Sequence, residues 1–270
     1  MCEIYRGLMS LWENRKAIVI SFLAILIVAS SGYSFEMPLT SNYTEESYHC
    51  LEKNSGTERW HVDWTIEKVE KDDRIILVMG ETGRQVYGSY EERVSWFVET
   101  FLEYTDSLQS IYSTKEIRNR EGETIEIISK KFDVEHGFVE FERRNLISGK
   151  VSNESFEPGS TIIGTENIGI VLRGMNLAEG VESEFYLCTD EPKLYKVTAK
   201  CLGKEKIIVN GREFETYKVE LIFHVGFWKL FVPRTYFWYT VNKPHKWIRY
   251  EGLESGHGTP QVVMEVLDFQ

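Results

Sequence analysis

The stretch FWKLFVPRTYFWYT, Phe227 to Thr240, places seven aromatic rings within fourteen residues. Such rings offer roughly 150–250 Å² each for burial, and monomers rarely leave apolar patches larger than about 300–600 Å² uncovered. The fold must therefore cover them. Strand alternation from Tyr236 to Val241 puts Tyr236, Trp238 and Thr240 on one side and Phe237, Tyr239 and Val241 on the other. Both sides are aromatic, which a sheet with one wet face does not require. A core, a liganded cavity, a partner or a lipid surface could each provide the cover.

Alternation bounded by turn residues continues through most of the chain. Trp60, Val62, Trp64 and Ile66 share one side of a strand, and KDD at Lys71 to Asp73 turns it into RIILVMG. TIEIISKKFDV and GFVEFERR flank His136-Gly137, a hairpin pattern, and Asn210-Gly211 gives a two-residue turn between EKIIVNG and EFETYKVELIFHV. Trp96, Val98, Leu102 and Tyr104 alternate as a strand. TIIGTENIGIVLRGMNLAEG reads as one short helix. Successive short strands with local turns predict an antiparallel sheet. The domain is placed at residues 48–270, after a polar lead-in at 35–47.

Residues 1–34 read as an export segment, with basic Arg15 and Lys16 before an apolar run from Ala17 to Ala29. Thirteen apolar residues suit a signal peptide, whereas the nineteen uncharged residues from Ala17 to Phe35 also allow an uncleaved membrane anchor. Either reading puts the domain outside the cytoplasmic membrane, secreted or held at it. A formal charge of -11 argues against nucleic acid as a partner. In an oxidising compartment Cys188 and Cys201 could pair and leave Cys50 single, or all three could be buried thiols. The sequons Asn42-Tyr43-Thr44 and Asn153-Glu154-Ser155 are compatible with exposed, glycosylated positions.

No catalytic, metal-binding or cofactor motif is present. The sequence has no His-Glu-x-x-His, Gly-x-Ser-x-Gly, phosphate loop or Cys-x-x-Cys, and its six histidines are scattered. His49 beside Cys50 points to the opposite face of a strand. Asp72-Asp73 and Glu91-Glu92 lie in turn-like polar segments rather than in the partly apolar pocket that acid–base tuning needs. The expectation is a protein that is not an enzyme.

KVTAKCLGKEKIIVNGREFETYKVEL, followed by YFWYTVNKPHKWIRYEG and GTPQVVMEVL, resembles the exported bacterial and archaeal family called domain of unknown function 3108. Gly203, Lys204, Glu205, Gly211, Phe214, Thr216, Lys218, Val219 and Glu220 match its structural pattern. The resemblance implies a mainly β fold, an antiparallel sheet curled into an incomplete half-barrel with one short helix. The concave side of such a sheet could line an apolar cavity, with Trp60, Trp64, Trp228, Tyr236 and Trp238 as wall residues for a lipid or other apolar ligand. The rival reading is a membrane-anchored structural or interaction module that docks a protein partner through its C-terminal aromatic strands. In a third reading the rings form core and the nearby cations, Lys229, Arg234, Lys243, His245, Lys246 and Arg249, snorkel over it.

Overall fold

The structure, a computed structural model, describes residues 39, 41–71, 74–86, 94–105, 107–226, 233–255 and 258–267. The predicted export segment, residues 1–34, lies outside them. A first meander comprises β1 (Tyr43–Glu52), β2 (Glu58–Lys71), β3 (Arg74–Gln85), β4 (Ser95–Tyr104), β5 (Leu108–Arg118), β6 (Thr124–Asp133), β7 (Phe138–Asn145) and β8 (Val151–Phe156). A short β9 (Ile162–Gly164) leads through a 3-10 turn (Thr165–Asn167) into helix α1 (Ile168–Arg173). A second meander follows: β10 (Glu182–Cys188), β11 (Leu194–Val209), β12 (Arg212–Phe223), β13 (Thr235–Thr240), β14 (Trp247–Leu253) and β15 (Gln261–Val266).

The fifteen strands among the described residues belong to one sheet, in the order β8-β7-β6-β5-β4-β3-β2-β1-β15-β14-β13-β12-β11-β10-β9. The first strand pairs with the last, so the ends of the domain meet in the middle of the sheet. Neighbours run antiparallel except β9 and β10. The sheet is not closed, because β8 and β9 at its two edges do not pair with each other.

Local chemistry accounts for the individual hairpins. Asn210 and Gly211 join β11 to β12 with φ of 49° and 76°, the left-handed pair that a two-residue turn matching strand twist requires. His136-Gly137 lies in the β6–β7 turn, and the alternating segment around Trp96 is β4. The first strand starts at Tyr43, inside the stretch expected to be a polar lead-in. The reason is alternation within YTEESYHC: Glu46, Tyr48 and Cys50 point inward and are buried. The helix is shorter than the segment suggested, six residues, five of them buried.

Among the described residues the cysteines are three buried free thiols, Cys50, Cys188 and Cys201. Cys188 lies opposite Leu194, and Cys201 is seven positions further along β11, about 24 Å at ~3.4 Å per residue. A bridge needs Cα atoms within about 7 Å, so of the two alternatives the Cys188–Cys201 pairing is excluded by register and the buried thiols remain. Burial raises all three thiols, Cys188 to about 11.

Curling brings the two halves of the sheet together through side chains instead of a hydrogen-bond ladder. Ile128, Phe132, Val139 and Phe141 of β6 and β7 pack with Ile162 of β9 and Cys188 of β10. Beside them, Lys130 of β6 donates to Glu166 (2.7 Å) and Asp190 (3.0 Å), and Lys115 of β5 also donates to Asp190 (2.7 Å). Asn167 donates to Ser110 (3.0 Å). The open seam is thus bridged by buried charge and apolar contact.

Candidate functional site

Inside the curled sheet, α1 occupies the middle of the concave side. Tyr239 donates its hydroxyl to the Gly169 carbonyl (3.0 Å), and Arg173 donates to the Pro244 carbonyl (2.8 Å) and the Glu46 carboxylate (3.1 Å). Tyr48 donates to the second oxygen of Glu46 (2.6 Å). Around the helix, Trp64, Tyr48 and Trp247 form a mutual cluster with ring centroids 4.9–5.3 Å apart, and Phe237 joins it 5.6 Å from Trp247. This part of the interior is filled core.

The concave side differs at the end where β2 begins and β3 finishes. There the inward-facing rings are only partly buried: Trp60 and Trp96 in one half of the sheet, Tyr195 and Phe223 in the other, and Tyr250 between them in the strand order. Trp60 and Trp96 meet edge to face at 5.9 Å, and Tyr195 and Phe223 at 6.2 Å. Trp60 lies four residues before Trp64 on the same face of β2, about 14 Å along the strand. The pattern is an aromatic collar at the end of a packed interior.

Polar groups converge beneath the collar. Glu81 of β3 accepts two indole N–H bonds, from Trp64 (2.8 Å) and Trp96 (2.6 Å). Burial raises its carboxyl above the ordinary range, and Lys115 and the two indoles offset part of that. Lys115 Nζ stands 5.7 Å from the Trp96 ring centre. Glu254 accepts the Trp60 indole (3.0 Å) and a two-pronged contact from Arg59 (2.8 and 2.9 Å). Each collar tryptophan is therefore fixed in orientation by a carboxylate, leaving ring surface as its free feature.

Trp96 lies directly over Gly83. A Cβ added there would come within 2.0 Å of the indole, so only glycine fits. Gly83→Ala is expected to swing Trp96 away from Glu81 at a cost of about 1–3 kcal/mol. The checks are loss of near-ultraviolet tryptophan dichroism and a lower urea midpoint.

The five wall residues expected from sequence do not share one surface. Trp60 belongs to the collar, Trp64 to the core beneath it, and Trp228 lies outside the described residues. Tyr236 and Trp238 face outward, because register places them in line with Glu220 and Lys218 of β12, while Phe237 and Tyr239 take the inner side. Lys218 lies over both outward rings, 4.5 Å from Tyr236 and 5.0 Å from Trp238. Arg249 covers the other side of Trp238 at 5.5 Å. Glu205 accepts the Trp238 indole N–H. With 5% of its surface exposed, Trp238 is a ring sheathed by snorkelling cations. Trp96, Glu81 and Lys115 were missed by sequence reasoning, although the Trp96–Tyr104 alternation already pointed Trp96 to one face.

Fold and site together define an incomplete antiparallel β-barrel with an internal helix and an aromatic collar. A scan against protein-family models and a search of curated proteins give no match to the chain. Among solved structures it is similar to a beta-barrel-like protein of domain of unknown function 1849 from Brucella abortus, at 10% identity and a TM-score of 0.50. The alignment covers 84% of this chain and 98% of that one. The neighbour carries the number 1849 rather than 3108, so the common ground is a barrel-like fold.

Proposed function

We propose that this domain works outside the cytoplasmic membrane as a non-enzymatic binding protein, holding one apolar or amphiphilic small molecule, such as a lipid, against its aromatic collar. One observation carries the reading: the inward rings of Trp60 and Trp96 are half-buried and fixed by carboxylates while the neighbouring interior is filled. Partly open aromatic surface with a few convergent polar groups is the usual character of a small-molecule site. The ligand rests at the collar, not deep in the sheet, because α1 takes that volume. Docking through Tyr236 and Trp238 is disfavoured because their own cations cover them.

The test is a titration of the full chain with a fluorescent fatty acid, followed by probe emission. Trp60→Ala and Trp96→Ala are each expected to weaken binding tenfold or more with far-ultraviolet dichroism intact, and Trp238→Ala to leave it unchanged. Equal affinity in all three variants would sink the proposal.

A further inference from the structure

We infer that Asn153 is a glycan acceptor and that its glycan guards the open edge of the sheet. The inference rests on the export reading, since the donor is used outside the cytoplasm. Strand β8 pairs with β7 on one side and, among the described residues, has no strand on the other. An edge of this kind is a template for pairing with another chain, and proteins usually block it with charges, above all Lys, an inward-pointing charge, Pro, a bulge or a very short strand. VSNESF has no Lys, Arg or Pro, and its one charge, Glu154, falls in line with Phe141 on the core side and blocks the edge only in part. Its register against β7, from Val139↔Phe156 to Arg144↔Val151, runs without a bulge. Its first residue, Val151, is 52% exposed, and Ile147 in the preceding turn is 76% exposed, which favours association. The opposite edge is protected by other means: β9 has three residues, all buried.

The same strand carries the sequon Asn153-Glu154-Ser155. Asn153 pairs with Glu142 and takes the outer face, opposite to the core residues Val139 and Phe141, and it is exposed. A bulky, hydrated sugar at this place would bar an incoming strand. The second sequon stands at the start of β1, in the interior of the sheet order. There the Asn42 carbonyl already accepts the Lys68 amide (2.8 Å) and Thr44 shares a hydrogen bond with Ser41 (3.3 Å). The donor class is a polyprenyl phosphate- or diphosphate-linked oligosaccharide. Asn153 Nδ2 forms a bond to the anomeric carbon, the carbon–oxygen bond to phosphate breaks, and the amide proton leaves with the phosphate through a base of the transferase.

The experiment is peptide mass spectrometry on the full chain recovered from its own host after cell fractionation, with sedimentation of the same material. The Asn153 peptide is expected to carry sugar mass, lost alike in Asn153→Gln and Ser155→Ala. Both variants are expected to self-associate at least tenfold more tightly than the glycosylated chain, and addition of Val151→Lys to restore the monomer. An unmodified Asn153 in the extracytoplasmic fraction overturns the acceptor assignment while leaving export intact. Recovery of the chain in the cytoplasmic fraction overturns both. Glycan-free variants that stay monomeric overturn the guarding role.

Discussion

Arg173→Met should lower the unfolding free energy by about 3–5 kcal/mol, the usual cost of removing one partner from a buried ion pair. Arg173 and Glu46 keep 2% and 5% of their side chains exposed, so water cannot take over the role of the missing partner. Tyr48 would still donate to Glu46, but one hydrogen bond does not neutralise a buried carboxylate. The charge itself is expected to be dispensable. Glu46→Leu combined with Arg173→Met should recover most of the loss, since a well-packed apolar pair often matches a buried ionic one. Urea unfolding of the two single variants and the double variant decides the matter. A double variant no more stable than Arg173→Met would mean that α1 is held by charge and not by packing.

Lys130→Met should cost a similar amount, about 3–5 kcal/mol, because it strands Glu166 at 8% exposure on the far side of the seam. A pH signature separates this effect from ordinary core damage. Burial alone would raise the Asp190 carboxyl, yet Lys115 and Lys130 hold it well below the usual carboxylate range. A carboxylate depressed on folding stabilises the protein above its unfolded pKa, about 3.9, and that stability is lost as pH falls toward the folded value. The parent protein should therefore lose stability from about pH 5 downward. In Lys130→Met the decline should be shallower, since Asp190 keeps only Lys115. Asp190 is 39% exposed, so solvent screening moderates the difference. Parallel acid limbs for the two proteins would show that the seam charges do not couple.

The strands were legible where chemistry is local. Asn210-Gly211 names its turn, and the Trp60–Ile66 alternation names its buried face. The direction of Tyr236 to Tyr239 was not legible, because both sides of β13 are aromatic and only the register with Lys218 and Arg249 shows which rings are sheathed. Sequence alone does not single out Glu81 and Lys115, because a charged residue in an alternating strand normally marks the wet face. Here the sheet curls, and the inward charges find partners on other strands and in the β10–β11 turn. That pairing depends on contacts such as Lys115–Asp190, seventy-five positions apart, which no local pattern encodes. The helix was visible in outline, but its burial follows from closure of the sheet around it.

The meeting of β1 with β15 also has a consequence in time. A chain that emerges amino-terminus first can zip β1 to β2 at once, but the other flank of β1 waits until the final strand appears some two hundred residues later, as Tyr48↔Val266 shows. Pairings of such sequence separation are slow to form and leave a bare central strand in the meantime. Maturation of this domain therefore ends in the middle of its sheet, and loss of β15 alone should leave β1 and β14 without the strand that joins the two meanders.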